Sequence, residues 1–342
     1  MDTKTAIDYT VKVLGYWLPL KIKYEKIPGI SVGITYKGKL VYKAGFGFAD
    51  IESGIKAKPT TCYRIASISK VFTTVAVLQL AEKGKLDLND PVIKYLPWFK
   101  SDPTITIKSL LSRSAGLARE AGSPHWITDR FPDEKELVKT AGKNQSSISI
   151  SSRFKYTNFG FALLGQIVKK VSGVSYEKYI SNNIIKKLGL ENTYPDFHKS
   201  IKGLATGYSR IIPDKERESM PHIETKSYAS ATGFVSNVLD LAKLVSALSP
   251  NSQILLSEES KREMFREHWK TGTPGTWDEW YGFGTIISKV GWRKIIGHSG
   301  GFAGFRTKMS IDLQNDIGVV VLTNTDFLFE RKKFIREKSS KR

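Results

Sequence analysis

Apolar residues recur at helical spacing from the start of the chain. Val11, Leu14, Leu18 and Ile22 share one side of a stretch predicted as a helix over residues 5–24, and Pro28-Gly29 breaks it. Residues 30–36 and 39–45, joined at Lys37-Gly38, read as a β-hairpin with the short glycine-containing connection such turns need. Between residues 66 and 83 nearly every position is apolar, including Val71, Phe72, Val75, Leu78 and Leu80, until Gly84 ends the pattern. A helix apolar all round belongs in an interior. Residues 87–202 hold further helical patterns at 107–112, 134–141, 159–171 and 176–188, separated by Pro- and Gly-containing loops with little strand character. After a polar loop at 206–230, a helix at 238–248 leads into β-type runs at 282–288, 292–296, 307–312 and 317–323, the last two joined at Gln314-Asn315.

A lone hairpin cannot bury a face, so the early and late strands are expected to form one antiparallel sheet. That predicts an α/β fold in the α+β sense, with a helical domain inserted into a discontinuous one. The α/β domain is then residues 1–62 and 225–342, the mainly helical domain 63–224, and residues 331–342 a basic tail.

Composition narrows the class. With 342 residues, 40% hydrophobic and 25% charged, the chain can bury a real core in ~2 domains. Cys62 is the only cysteine, which excludes an internal disulfide. No apolar run approaches the ~18–20 residues of a membrane span, and Met1-Asp2-Thr3-Lys4 opens no signal-peptide pattern. A cytoplasmic location is the default expectation, with an envelope-associated one as the alternative. Fifty-three Lys and Arg against 33 Asp and Glu give a net charge of +20, spread along the chain and densest from Arg331 to Arg342. That tail is expected to be solvated, with at most weak association with anionic surfaces, and no nucleic-acid partner is expected.

Ser-x-x-Lys places a hydroxyl and an ammonium on one helical face, where a lysine of lowered pKa can serve proton transfer. The pattern occurs four times, at Ser53/Lys56, Ser67/Lys70, Ser152/Lys155 and Ser175/Lys178. Only Ser67 opens a long buried helix, whose N-terminal amides favour a developing oxyanion and whose burial lowers the Lys70 pKa. The competing reading makes Ser67 an N-cap and Lys70 a surface charge. Two further signals favour chemistry. Tyr156-Thr157-Asn158 is the sole Tyr-x-Asn, just before a predicted helix, and His298-Ser299-Gly300-Gly301 falls between two predicted strands, where a sheet edge can face a cleft.

From about residue 28 to 324 the chain resembles the serine β-lactamase and penicillin-binding-protein-like superfamily, in its class C, D-aminopeptidase and esterase branch. Ser67-Ile68-Ser69-Lys70, Tyr156-Thr157-Asn158 and His298-Ser299-Gly300 stand in that family's order, with Tyr63-Arg64-Ile65-Ala66 and Leu86-Asp87-Leu88-Asn89-Asp90-Pro91-Val92 flanking the first. The resemblance implies a β-lactamase-like fold with the site in the cleft between sheet and helices. It implies an acyl-enzyme on Ser67, proton transfers shared by Lys70 and Tyr156 with either as base, and His298 as a fourth catalytic residue. Substrate binding falls to Asn158, Ser299, Gly300 and Gly301, with Asn158 either holding Lys70 or hydrogen-bonding a substrate amide. The amides of Ser67 and Gly301 would form an oxyanion hole, a contact worth ~3–4 kcal/mol per donor. No cofactor or metal is implied.

Typical β-lactamases carry Lys-Thr-Gly where this chain has His298-Ser299-Gly300, and histidine is largely neutral near pH 7. The substrate expected is a small ester, amide or peptide, handled by an esterase or a D-aminopeptidase-type amidase. The alternatives are a penicillin-binding protein or weak β-lactamase, and a non-catalytic basic binding or sensor protein. Arg113 replaces the histidine common in the family's Leu111–Leu117 loop, a closing helix would have to come from residues 326–338, and Trp277, Trp280 and Tyr281 are candidates for the pocket wall or the core.

Other motifs fail. Gly297-His298-Ser299-Gly300-Gly301 matches a nucleophile elbow, but a strand-like run follows it and all five histidines precede or sit within it, leaving none after Ser299. Gly160 to Gly165 has P-loop spacing without the following Lys and Ser/Thr. His125, His198, His222 and His268 lack metal-ligand spacing and read as surface or loop residues.

Overall fold

The computed structural model describes residues 3–100, 102–120, 124–141, 148–211, 215–271 and 279–326. Helix α1 spans Thr3–Glu25, and the chain then enters strands β1 (Gly29–Tyr36), β2 (Lys39–Asp50) and β3 (Ile55–Lys56). Six more strands come late: β4 (Trp269–Lys270), β5 (Glu279–Tyr281), β6 (Ile286–Val290), β7 (Arg293–Phe302), β8 (Phe305–Asp312) and β9 (Ile317–Thr323). Among the described residues these nine form one sheet in the order β3-β2-β1-β9-β8-β7-β6-β5-β4, antiparallel throughout. Early and late strands meet at β1 and β9, where Ile30 faces Thr323 and Tyr36 faces Ile317.

β1 is buried on both faces because each has its own cover. Ile30, Val32 and Ile34 pack with Leu14, Leu18 and Ile22 of α1, the side that the sequence pattern picks out. The opposite face takes helix α4 (Val238–Leu248), whose approach depends on small residues. A Cβ added at Gly318 would lie 2.1 Å from Val245 Cγ1. Asn237 caps α4 by accepting from the Asp240 amide at 2.9 Å.

Helices α2 (Ser69–Glu82) and α3 (Phe159–Ser172) lie in the main core. That core runs without interruption from Val71, Phe72 and Val75 through Phe161 and Leu164 to Ile287, Ile296, Met309 and Leu322 on the sheet. Three expectations are corrected and one helix is added. The predicted helix over 176–188 is broken by a π-helical turn at Ser181–Ile185. The strand expected at 282–288 starts only at Ile286, with a separate short strand at Glu279–Tyr281. The helix at Glu258–Met264 went unpredicted, because its Glu-Glu-Ser-Lys-Arg-Glu run shows little apolar periodicity. Finally, β7 does not stop near residue 296 but continues through the His298 motif, since Gly300 and Gly301 still pair with Thr307 and Arg306. The expected closing helix at 326–338 and the basic tail lie outside the described residues, apart from Asp326. Among the described residues no helix is long and apolar enough to cross a membrane.

Candidate active site

Ser67 is not the first residue of an α-helix. It sits in a 3-10 turn, Ala66–Ile68, and α2 begins two residues later. Ala66 holds φ at +50°, a left-handed conformation costing a non-glycine residue roughly 1–2 kcal/mol. The turn is clamped against β7 and β8. Thr307 donates to the Ile65 carbonyl at 3.0 Å, and a Cβ at Gly300 would lie 2.2 Å from that same oxygen, so only glycine lets the strand come so close. β6 pairs with β7 no further than Gly297, which leaves the His298–Phe302 stretch without a strand neighbour on that side among the described residues.

The Ser67 hydroxyl makes no cap bond. Instead its Oγ lies 2.7 Å from Tyr156 Oη and accepts from Lys70 Nζ at 3.1 Å. Lys70 is fully buried, not a surface charge. Its two other N–H groups go to Asn158 Oδ1 at 2.9 Å and to the Ala231 carbonyl. The latter belongs to a π-helical turn, Ala229–Gly233, inside what reads as loop in the sequence. An ammonium has three donors and no acceptor, and here all three are occupied.

Asn158 stands at the N-cap position of α3 but does not cap it; Thr157 Oγ1 accepts from the Gly160 amide instead, at 3.0 Å. That frees the Asn158 amide to donate to Glu120 at 2.6 Å while its oxygen takes Lys70. Glu120 also bonds His125 Nε2 at 3.0 Å. His125 is therefore no surface residue: it is fully buried among Trp126, Phe131 and Tyr228. His222 and His268 likewise stack on Phe197 and Phe283, and His198 alone of the four is exposed.

On the other side, Arg113 ends the Ile107–Ser112 helix in the left-handed conformation and is buried. Its guanidinium carbon lies 3.6 Å from the Tyr156 ring centroid and 4.1 Å from that of Tyr281. It also reaches His298 Nε2 at 3.4 Å, which Tyr281 Oη approaches at 3.3 Å. Because arginine can only donate, Nε2 is the acceptor, and Nδ1–H donates to the Ser299 carbonyl at 2.6 Å. His298 thus bonds Arg113, Tyr281 and the Ser299 carbonyl, and these bonds include none of Ser67, Lys70 and Tyr156. Burial, then Arg113 and Lys70, drives its pKa well below that of free histidine, so the ring is neutral. Ser299 is exposed on the opposite face of β7 from His298 and Gly300, and Gly301 is half-buried. Tyr281 belongs to this buried cluster, Trp280 packs partly buried against the core, and Trp277 lies outside the described residues.

The charges set the proton inventory. Burial works to raise the Tyr156 pKa, but Lys70, Arg113 and the Ser67 hydrogen bond together outweigh it and bring the phenol down to about 7. Burial lowers Lys70, Tyr156 opposes this and Arg113 adds to it, leaving the ammonium at about 8. Sequence reasoning missed Glu120, Ala231 and Thr307. Of these only Glu120 leaves a trace, as a carboxylate in an otherwise basic, glycine-flanked loop.

A profile of the family described as Beta-lactamase matches residues 21–338. "Protein flp" of Staphylococcus aureus (strain N315) is 36% identical over 188 residues, 53% of this chain and only 38% of that protein's length. The "Putative penicillin-binding protein PbpX" of Bacillus subtilis (strain 168) is 31% identical over 261 residues, 75% of this chain and 61% of its own. Among solved structures, the octameric penicillin-binding protein homologue from Pyrococcus abyssi superposes with a TM-score of 0.81 at 33% identity, covering 92% of this chain and 73% of that one. EstCE1, a hydrolase with promiscuous acyltransferase activity, gives 0.82 at 23% identity over 94% and 95%, a likeness of fold alone.

Proposed function

The chain belongs to the Beta-lactamase family of serine hydrolases, and on that premise we propose that it hydrolyses a small ester or amide through an acyl-enzyme on Ser67, with Tyr156 as the base. The observation that carries this reading is the 2.7 Å contact between Ser67 Oγ and Tyr156 Oη beside a lysine whose three donors are all occupied. While protonated, Lys70 has no lone pair to offer, whereas the Tyr156 phenolate does. Tyr156 takes the Ser67 proton as Oγ bonds the carbonyl carbon, and the oxyanion rests on the Ser67 and Gly301 amides. Collapse breaks the bond to the leaving group, which departs with the proton held by Tyr156. A water then gives its proton to Tyr156 and its oxygen to the acyl carbon, and Ser67 leaves protonated.

The substrate class is read from the charges around Ser67. A neutral His298 offers no cation to a substrate carboxylate, and the Arg113 charge is stacked under aromatic rings and buried. Neutral esters and D-amino-acid amides therefore fit better than β-lactams, in keeping with EstCE1 and the D-amino acid amidase from Ochrobactrum anthropi SV3 as structural neighbours. p-Nitrophenyl esters, D-amino-acid amides and a penicillin should be assayed side by side with the parent chain and Ser67→Ala. Turnover of ester or amide that vanishes in the variant, with an acyl adduct on Ser67 by mass spectrometry, is the expected result. Turnover unchanged in Ser67→Ala would remove Ser67 as the nucleophile, and no turnover above background in either form would return the chain to a basic binding protein.

A further inference from the structure

Helix α1 carries a second apolar face that nothing among the described residues covers. Leu14, Leu18 and Ile22 point to the sheet, while Tyr9, Val13, Tyr16, Trp17, Leu20 and Tyr24 are exposed, from 42% at Val13 to 80% at Tyr24. With 3.6 residues per turn these six fall within an arc of roughly 100°, opposite the packed side. Single exposed apolar residues are ordinary, but six in one stripe are not. Lysines border it: Lys12 and Lys23 along one edge, Lys21 along the other, its Nζ 5.5 Å from the Trp17 ring centroid and paired with Glu25.

This pattern selects its occupant by charge and by residue type. Two copies meeting along the stripe would bring their lysine rims together on chains that each carry +20, which opposes association. An anionic lipid surface complements the same rims. Tyrosine and tryptophan have apolar bodies and polar tips suited to the headgroup boundary, and lysine stems lie along apolar surface with the ammonium outward. Since α1 cannot span a bilayer and its inner face is held by β1, it can only lie along the surface.

We propose that the outer face of α1 docks the protein onto anionic membrane surfaces, with Tyr16, Trp17 and Leu20 entering the headgroup layer and Lys12, Lys21 and Lys23 meeting lipid phosphates. The idea is independent of the hydrolase reading. The full chain should co-sediment with vesicles containing about one-quarter phosphatidylglycerol in phosphatidylcholine, far less with phosphatidylcholine alone, and less as salt rises. The triple variant Tyr16→Ser/Trp17→Ser/Leu20→Ser should lose at least about tenfold in vesicle affinity, and Lys12→Glu/Lys23→Glu should lose the preference for anionic lipid. Both should keep the circular dichroism and melting temperature of the parent, because the altered side chains are exposed. No binding to anionic vesicles, or equal binding by the folded triple variant, overturns the proposal. So does an oligomer that the triple variant dissolves while neither form binds vesicles, an outcome that assigns the face to a second copy.

Discussion

Two polar flanks meet at the Lys70–Tyr156 pair, and they carry opposite charge. On one, Asn158 ties Lys70 to the Glu120 carboxylate and through it to His125. On the other, the Arg113 guanidinium lies against the Tyr156 ring and bonds neutral His298. The acidic flank favours a lysine that keeps its proton, and the cationic flank a tyrosine that gives one up. Either group alone, buried to this depth, would be driven neutral by desolvation. A permanent positive charge therefore stands beside neutral His298: it comes from the loop after the Ile107–Ser112 helix and lies against the Tyr156 ring.

The hardest blow to this arrangement is Tyr156→Phe, which removes the group both flanks converge on. Ester turnover should fall by about 10²–10⁴-fold while the melting temperature holds, and a rate within a few-fold of the parent would move the base to Lys70. Arg113→Met tests the cationic flank. The parent rate should rise with pH as Tyr156 loses its proton near about 7, and fall as Lys70 loses its own near about 8. Removing a cation raises both pKa values, so both limbs of the profile should move to higher pH, with a loss on the order of tenfold at neutral pH. An unshifted acid limb would show that the guanidinium only fills space. Glu120→Gln keeps the shape of the acidic flank without its charge, and its effect should be smaller and of opposite sign. Losing the anion lowers the Lys70 pKa, so the alkaline limb alone moves to lower pH, with a change of a few-fold at its plateau. A shift of that limb upward would sever Glu120 from Lys70.

How much of this the sequence discloses depends on the range of each interaction. The run of apolar and polar residues over 5–24, 30–45, 66–83 and 238–248 leads to α1, the hairpin, α2 and α4, because amphipathic or all-apolar patterning is local. It misses the π-helical break at Ser181–Ile185 and the end of β7, since both depend on neighbours distant in the chain. His125 looks like a loop histidine for the same reason: its burial comes from Phe131 and Tyr228, about a hundred residues apart.

Motif order and the apolar helix after Ser67 picked out Ser67, Lys70 and the Tyr-x-Asn pair from among the repeated Ser-x-x-Lys patterns, because each motif is written within three or four residues, and the structure brings them together. Tertiary structure decided that Lys70 is buried with Tyr156 and Asn158 around it, that His298 is a neutral neighbour of Arg113, and that Glu120 bonds Asn158. Each of those rests on burial and on the field of charges brought from separate segments, and desolvation is a property of the packed surroundings, which no single stretch of chain contains.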